Sequence, residues 1–120
     1  QKVILLFREV YPQASLLIVS VCDRDARKEK GEITTMNGIR SLVTAQQNLA
    51  RESGTAFWNL FQAMGGEGSM KELAEKQPPM ANKDYTHLNF RGGRFLAQKF
   101  YDALMAGVAN YERKMNYEKN

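Results

Sequence analysis

At 120 residues, with 43% apolar and 25% charged residues, the chain has material for one domain, or part of one, around a modest core. No apolar run approaches the roughly 20 residues that span a bilayer, so a membrane-spanning segment is excluded. The net charge of +4 is a small excess of 17 basic over 13 acidic residues. Arg24, Arg27, Lys28 and Lys30 are interleaved with Asp23, Asp25, Glu29 and Glu32, and a nearly neutral, solvated loop of this kind argues against a nucleic-acid partner. Arg91-Gly92-Gly93-Arg94 is a single RGG element inside a helical run rather than a disordered repeat. Cys22 has no second cysteine to pair with and reads as a small buried hydrophobe.

In chain order, Val3, Leu6, Phe7 and Val10 recur at helical spacing, which predicts an amphipathic helix over Lys2 to Val10, stopped by Tyr11-Pro12. The continuous apolar, β-branched run Leu16 to Val21 predicts a strand of a parallel sheet covered on both faces. Cys22 to Thr35 lacks periodicity and reads as a loop, with Asp23 and Asp25 as a solvated pair. From Thr35 the spacing of Met36, Ile39, Leu42, Val43, Leu49 and Ala50 predicts a helix with Gly54 as its C-cap. Thr55 to Trp58 follows as a second strand, completing a βαβ unit whose crossover is expected to be right-handed.

Asn59 to Met64 reads as a helical turn, with Trp58, Phe61 and Met64 as core. Gly65-Gly66-Glu67-Gly68 lacks the Lys-Ser/Thr of a phosphate loop and reads as a flexible connection. Ser69 with Glu72 forms a capping box for a short helix to about Lys76, which Pro78-Pro79 ends. A terminal helix starts near Phe90. Its stripe of Ala97, Phe100, Tyr101, Leu104, Val108, Tyr111 and Met115 is expected to pack on the sheet, and Asn116 to Asn120 to fray.

The residues that carry chemistry sit just before that helix, in Asp84-Tyr85-Thr86-His87-Leu88-Asn89. His87 is the one histidine, three residues after an aspartate, and Asn89 is a good N-cap. A tight turn would let Asp84 accept a hydrogen bond from one ring nitrogen and leave the other free to take a proton from a nucleophile. On these two residues alone, a capping turn with a half-exposed histidine is the ordinary reading. Gly92 and Gly93 in the first helical turn point to close backbone approach near His87.

Asp-x-x-His, then Asn at a helix start, Gly92 five residues after the histidine and an amphipathic terminal helix together resemble the last block of the GDSL, or SGNH, hydrolases. The resemblance implies a flavodoxin-like three-layer α/β/α fold, about two parallel strands of it with flanking helices here. It also implies a serine esterase or lipase whose triad draws on Asp84 and His87. The family's Gly-Asp-Ser and Gly-x-Asn-Asp blocks do not occur in the sequence, and no Gly-x-Ser-x-Gly elbow surrounds Ser15, Ser20, Ser41, Ser53 or Ser69. Residues 1–120 therefore read as the C-terminal portion of one such domain.

The expected partners are an ester substrate, a carbohydrate or cell-wall O-acyl ester ahead of a lipid ester, and the remainder of the domain or a second copy of the chain. No cofactor is implied. One histidine among scattered carboxylates gives no metal-ligand spacing. The localisation stays open, with export or the periplasm suggested by the resemblance. The alternative is a non-catalytic α/β interaction module.

Overall fold

The computed structural model describes residues 1–119. Nine elements follow in order: α1 (Lys2–Val10), β1 (Leu17–Val19), β2 (Asp25–Arg27), β3 (Ile33–Thr35), α2 (Ile39–Ser53), β4 (Ala56–Trp58), α3 (Leu60–Met64), α4 (Ser69–Glu75) and α5 (Phe90–Glu118). β1 pairs in parallel with β4, Leu17 opposite Ala56 and Val19 opposite Trp58, and α2 lies in the connection between them. This is the βαβ arrangement that the apolar runs and the intervening helical period predict.

The helix boundaries follow local chemistry. Gly54 closes α2 at φ 59°, its N–H reaching the carbonyls of Ala50 and Arg51, because an αL residue turns the chain back onto the last helical carbonyls. At its other end α2 begins at Ile39 rather than Thr35, because Gly38 adopts φ 90° and Thr35 belongs to β3. Asn59 caps α3 by accepting from the Gln62 N–H, and Asn89 caps α5 by accepting from the Gly92 N–H at 3.0 Å.

The segment expected to be a loop, Cys22 to Thr35, contains the antiparallel β2–β3 hairpin, with Asp25 opposite Thr35 and Arg27 opposite Ile33. Its charged side chains mask two three-residue strands that are buried only where Asp25 and Thr35 pair. Asp23 and Asp25, expected to be solvated, are 0% and 3% exposed. They are buried because they serve α4: Asp23 Oδ2 accepts from the Met70 N–H at 3.0 Å, and Asp25 Oδ2 from the Lys71 N–H at 2.8 Å. The capping box therefore does not form. Ser69 is the first residue of α4 and turns its hydroxyl towards Asp23, 3.4 Å away, while carboxylates remote in sequence satisfy the open amides of the first turn.

The glycine stretch before α4 is a hydrogen-bonded turn rather than a flexible connection. Gly65, Gly66 and Gly68 take φ of 123°, 81° and 77°, and the Gly68 N–H donates to Thr35 Oγ1 at 2.8 Å.

The core gathers Met64, Met70, Leu73, Ala74, Ala81 and Leu96, with Cys22, Leu60, Tyr85, Leu88 and Phe95 packed against it. Phe61 is buried too, so the aromatic and methionine residues after β4 are core, as their spacing predicts, with Trp58 half-buried edge-on to Phe100 at 5.0 Å. The parallel strands are not covered on both faces. Leu17 and Val19, which share one face of β1, remain 45% and 42% exposed.

The terminal helix packs only through its first turns. From Tyr101 onward its residues are exposed, including Leu104, Val108, Tyr111 and Met115, so the apolar stripe projects past the sheet instead of covering it. The expected fraying does not begin at Asn116, since helix continues to Glu118; Asn120 lies outside the described residues.

Candidate functional site

Asn82 to Leu88 forms a turn closed at its base by Ala81 bridging to Leu88 and by the Asn82 N–H donating to the His87 carbonyl at 2.8 Å. Tyr85 and Leu88 point into the core, while Asp84 and His87 face outward. The chain passes from one set to the other through Tyr85, whose φ of 54° lies in the left-handed region that side chains other than glycine seldom adopt. Its neighbours hold it there. The Tyr85 carbonyl accepts from the Asp25 N–H at 2.9 Å, its own N–H donates to the Asn82 carbonyl, and its ring packs on the core.

Within this turn Asp84 Oδ1 accepts from the Thr86 and His87 N–H groups at 2.9 and 3.0 Å, and Asp84 Oδ2 lies 2.8 Å from His87 Nδ1. The hydrogen bond from His87, followed by those of the two amides, holds the Asp84 carboxyl down to about 2. An ionised carboxylate can only accept, so Nδ1 carries the hydrogen and donates it. In a neutral ring Nε2 is then an acceptor. Among the described residues Nε2 has no hydrogen-bond partner, and the histidine side chain is 71% exposed. The arrangement can therefore orient an imidazole with its basic nitrogen towards solvent or an incoming group.

Asn89 fixes the far side of the turn, its Nδ2 donating to the Pro79 carbonyl at 2.8 Å while its Oδ1 caps α5. Close backbone approach does occur at Gly92, but against Met80 rather than His87. A Cβ there would stand 2.0 Å from the Met80 carbonyl oxygen, whereas one at Gly93 would meet nothing within 4 Å. Asp25 and Tyr85, which anchor the turn, carry no sequence signal beyond ordinary polar and aromatic residues; Asp25 is betrayed only by its position after an apolar strand.

None of the serines hydrogen-bonds to His87. Ser20 is 3% exposed and bonds to Asn59 and the Phe61 amide, Ser53 bonds back to the Leu49 carbonyl, and Ser69 faces Asp23. An open groove of about 520 Å³, lined by Leu88, Asn89, Phe90, Gly93, Arg94 and Ala97, adjoins the turn. Phe90 is 79% exposed there, with the Arg94 guanidinium 4.9 Å over its ring. A larger groove of about 640 Å³ lies at the start of α2, bordered by Asn37, Arg40, Ser41 and Glu67, and includes neither Asp84 nor His87. No group of three or more metal-ligating side chains occurs among the described residues.

The fold is a mixed α/β arrangement, a short parallel strand pair with flanking helices, of the kind found in part of an SGNH-type esterase. A solved structure described as a peptidoglycan O-acetylesterase in action superposes with a TM-score of 0.77 at 26% sequence identity. The match covers 91% of this chain and 31% of that one, so the chain spans about a third of the length of the esterase it resembles. No protein-family model matches the sequence, and no curated protein matches it.

Proposed function

We propose that this chain supplies the aspartate and histidine of a Ser-His-Asp triad in a serine ester hydrolase that removes O-acyl groups from carbohydrate, with cell-wall glycan as the substrate class. The observation that carries the reading is the 2.8 Å bond between Asp84 and His87 Nδ1, formed on a turn that leaves the rest of the ring exposed. The likeness to a peptidoglycan O-acetylesterase supports the choice of ester and polymer over lipid. It also supports export or a periplasmic location.

In this reading a serine outside residues 1–120 attacks the ester carbonyl while His87 Nε2 takes its proton. The tetrahedral intermediate collapses as His87 returns the proton to the leaving sugar hydroxyl. Water then repeats the sequence on the acyl-enzyme, releasing the carboxylate. Asp84 holds the ring in the Nδ1–H form and stabilises the imidazolium that appears twice in the cycle. Oxyanion donors come from the remainder of the domain. Phe90 and Arg94, beside the turn, offer a flat apolar face and a cation to the glycan chain.

His87→Ala in the full-length protein tests this. Hydrolysis of O-acetylated peptidoglycan should fall by about 10³-fold or more, with an unchanged circular dichroism spectrum because the ring is exposed. Turnover close to that of the unaltered protein would remove His87 from the reaction.

A further inference from the structure

Asp23 and Asp25 lie side by side with almost no access to water. Their hydrogen bonding is unequal. Asp23 receives three donors: the Thr35 hydroxyl at 2.8 Å on Oδ1, and the Met70 N–H at 3.0 Å and the Ser69 hydroxyl at 3.4 Å on Oδ2. Asp25 receives the Lys71 N–H on Oδ2, while its Oδ1 is buried with no donor. A buried carboxylate oxygen without a donor costs several kcal/mol if it is charged, and two adjacent carboxylates away from water cannot both ionise cheaply. The two carboxyls accept from successive amides, Met70 and Lys71, which sets them beside each other, and two carboxylate oxygens attract only with a proton between them.

We propose that Asp25 is held as a carboxylic acid whose Oδ1 hydrogen is donated to the Asp23 carboxylate, and that this pair is the lock joining the β2–β3 hairpin, the start of α4 and the Asp84–His87 turn. Each of the three is attached directly. Asp25 lies in β2 opposite Thr35, both carboxyls cap α4, and the Asp25 N–H donates to the Tyr85 carbonyl inside the turn.

Charge around the pair agrees with the assignment. Burial pushes the Asp25 carboxyl up from 3.8 and the Asp23 carboxyl adds to this, while the Lys71 amide and the Thr35 hydroxyl act against it. On the elements packed against it, Thr35 of β3 is uncharged. Lys71 of α4 presents its backbone amide, with Glu72 exposed beside it, and the turn carries Tyr85 and the outward Asp84–His87 pair. Of these ionisable side chains, Asp23 is the one that acts on Asp25. Because the folded state holds the proton more tightly than the unfolded chain, the contribution is fully present below the unfolded value of 3.8. It is lost as pH rises through the higher folded value.

The test has two parts, neither of which depends on ester hydrolysis, so failure of the esterase reading leaves this inference standing and the reverse also holds. In a carboxyl-carbon NMR titration of the unaltered chain, the Asp25 carboxyl should titrate above the ordinary aspartate value of 3.8. Titration of Asp25 at or below that value would overturn the proposal. Asp25→Asn keeps the acceptor for Lys71 and supplies a permanent N–H donor for Asp23. As pH rises above about 4, the thermal midpoint of the unaltered chain should decline relative to that of Asp25→Asn. Parallel profiles for the two proteins would also overturn it. Should Asp25→Asn fail to fold, the titration of the unaltered chain decides alone.

Discussion

Asp84 holds three donors on two oxygens, and the turn from Asn82 to Leu88 depends on it for its shape as much as for its charge. Its carboxyl is held down to about 2, against an ordinary 3.8. With the folded value depressed, the stabilisation is complete above the unfolded value and disappears as pH falls from about 4 towards about 2. In an acid-unfolding series Asp84→Asn should lack that part of the decline, and an unchanged acid limb would show that the bonds do not hold the turn. Gly92 and Gly93 make a second test at this scale. Gly92→Ala drives a methyl group into the Met80 carbonyl and should cost about 1–3 kcal/mol or more in urea denaturation. Gly93→Ala, with open space around it, should gain about 0.5–1 kcal/mol from helix propensity.

Among the elements, α4 and the start of α5 carry the core, while α1 and the distal part of α5 carry almost none of it. α1 contributes no buried residue and is tied down by Arg8, which donates to the Gly54 carbonyl and the Thr55 hydroxyl. Leu73→Ala should therefore cost about 2–5 kcal/mol, as a cavity in packed surroundings does, whereas Leu104→Ala should fall within about 0.5 kcal/mol. Chemical denaturation of the two variants checks this, and equal losses would mean that the distal helix is packed in solution. The helices and the parallel strand pair were legible beforehand because period and capping are local properties: Gly54 and Asn89 cap where their chemistry requires. The β2–β3 hairpin was not, since its three-residue strands are dense in charge and pair through the backbone.

For the whole molecule, α5 extends the chain to 59 × 33 × 21 Å and leaves apolar side chains of α1, β1 and α5 facing outward. Exposed apolar area on this scale, beside a strand with one unpaired edge, favours association. Sedimentation velocity of the isolated chain should show species larger than a monomer whose proportion rises with concentration. A stable monomer throughout would favour an interaction module complete in itself. On the proposed reading, supplying the further strands and helices of an esterase domain should cover these faces and remove the association.

The sequence by itself determined the helical periods, the two apolar strands, the caps at Gly54 and Asn89 and the Asp-x-x-His spacing, each of which depends on neighbours a few positions away. Only the tertiary structure decided that Asp23 and Asp25 are buried beneath α4, that Ser69 faces a carboxylate instead of capping its helix, and that half of α5 has nothing to pack against. The reason is that burial and hydrogen-bond partnership are set by residues distant along the chain. Met70 lies 47 positions from the aspartate whose carboxylate receives its amide, and no periodicity within either segment encodes that meeting.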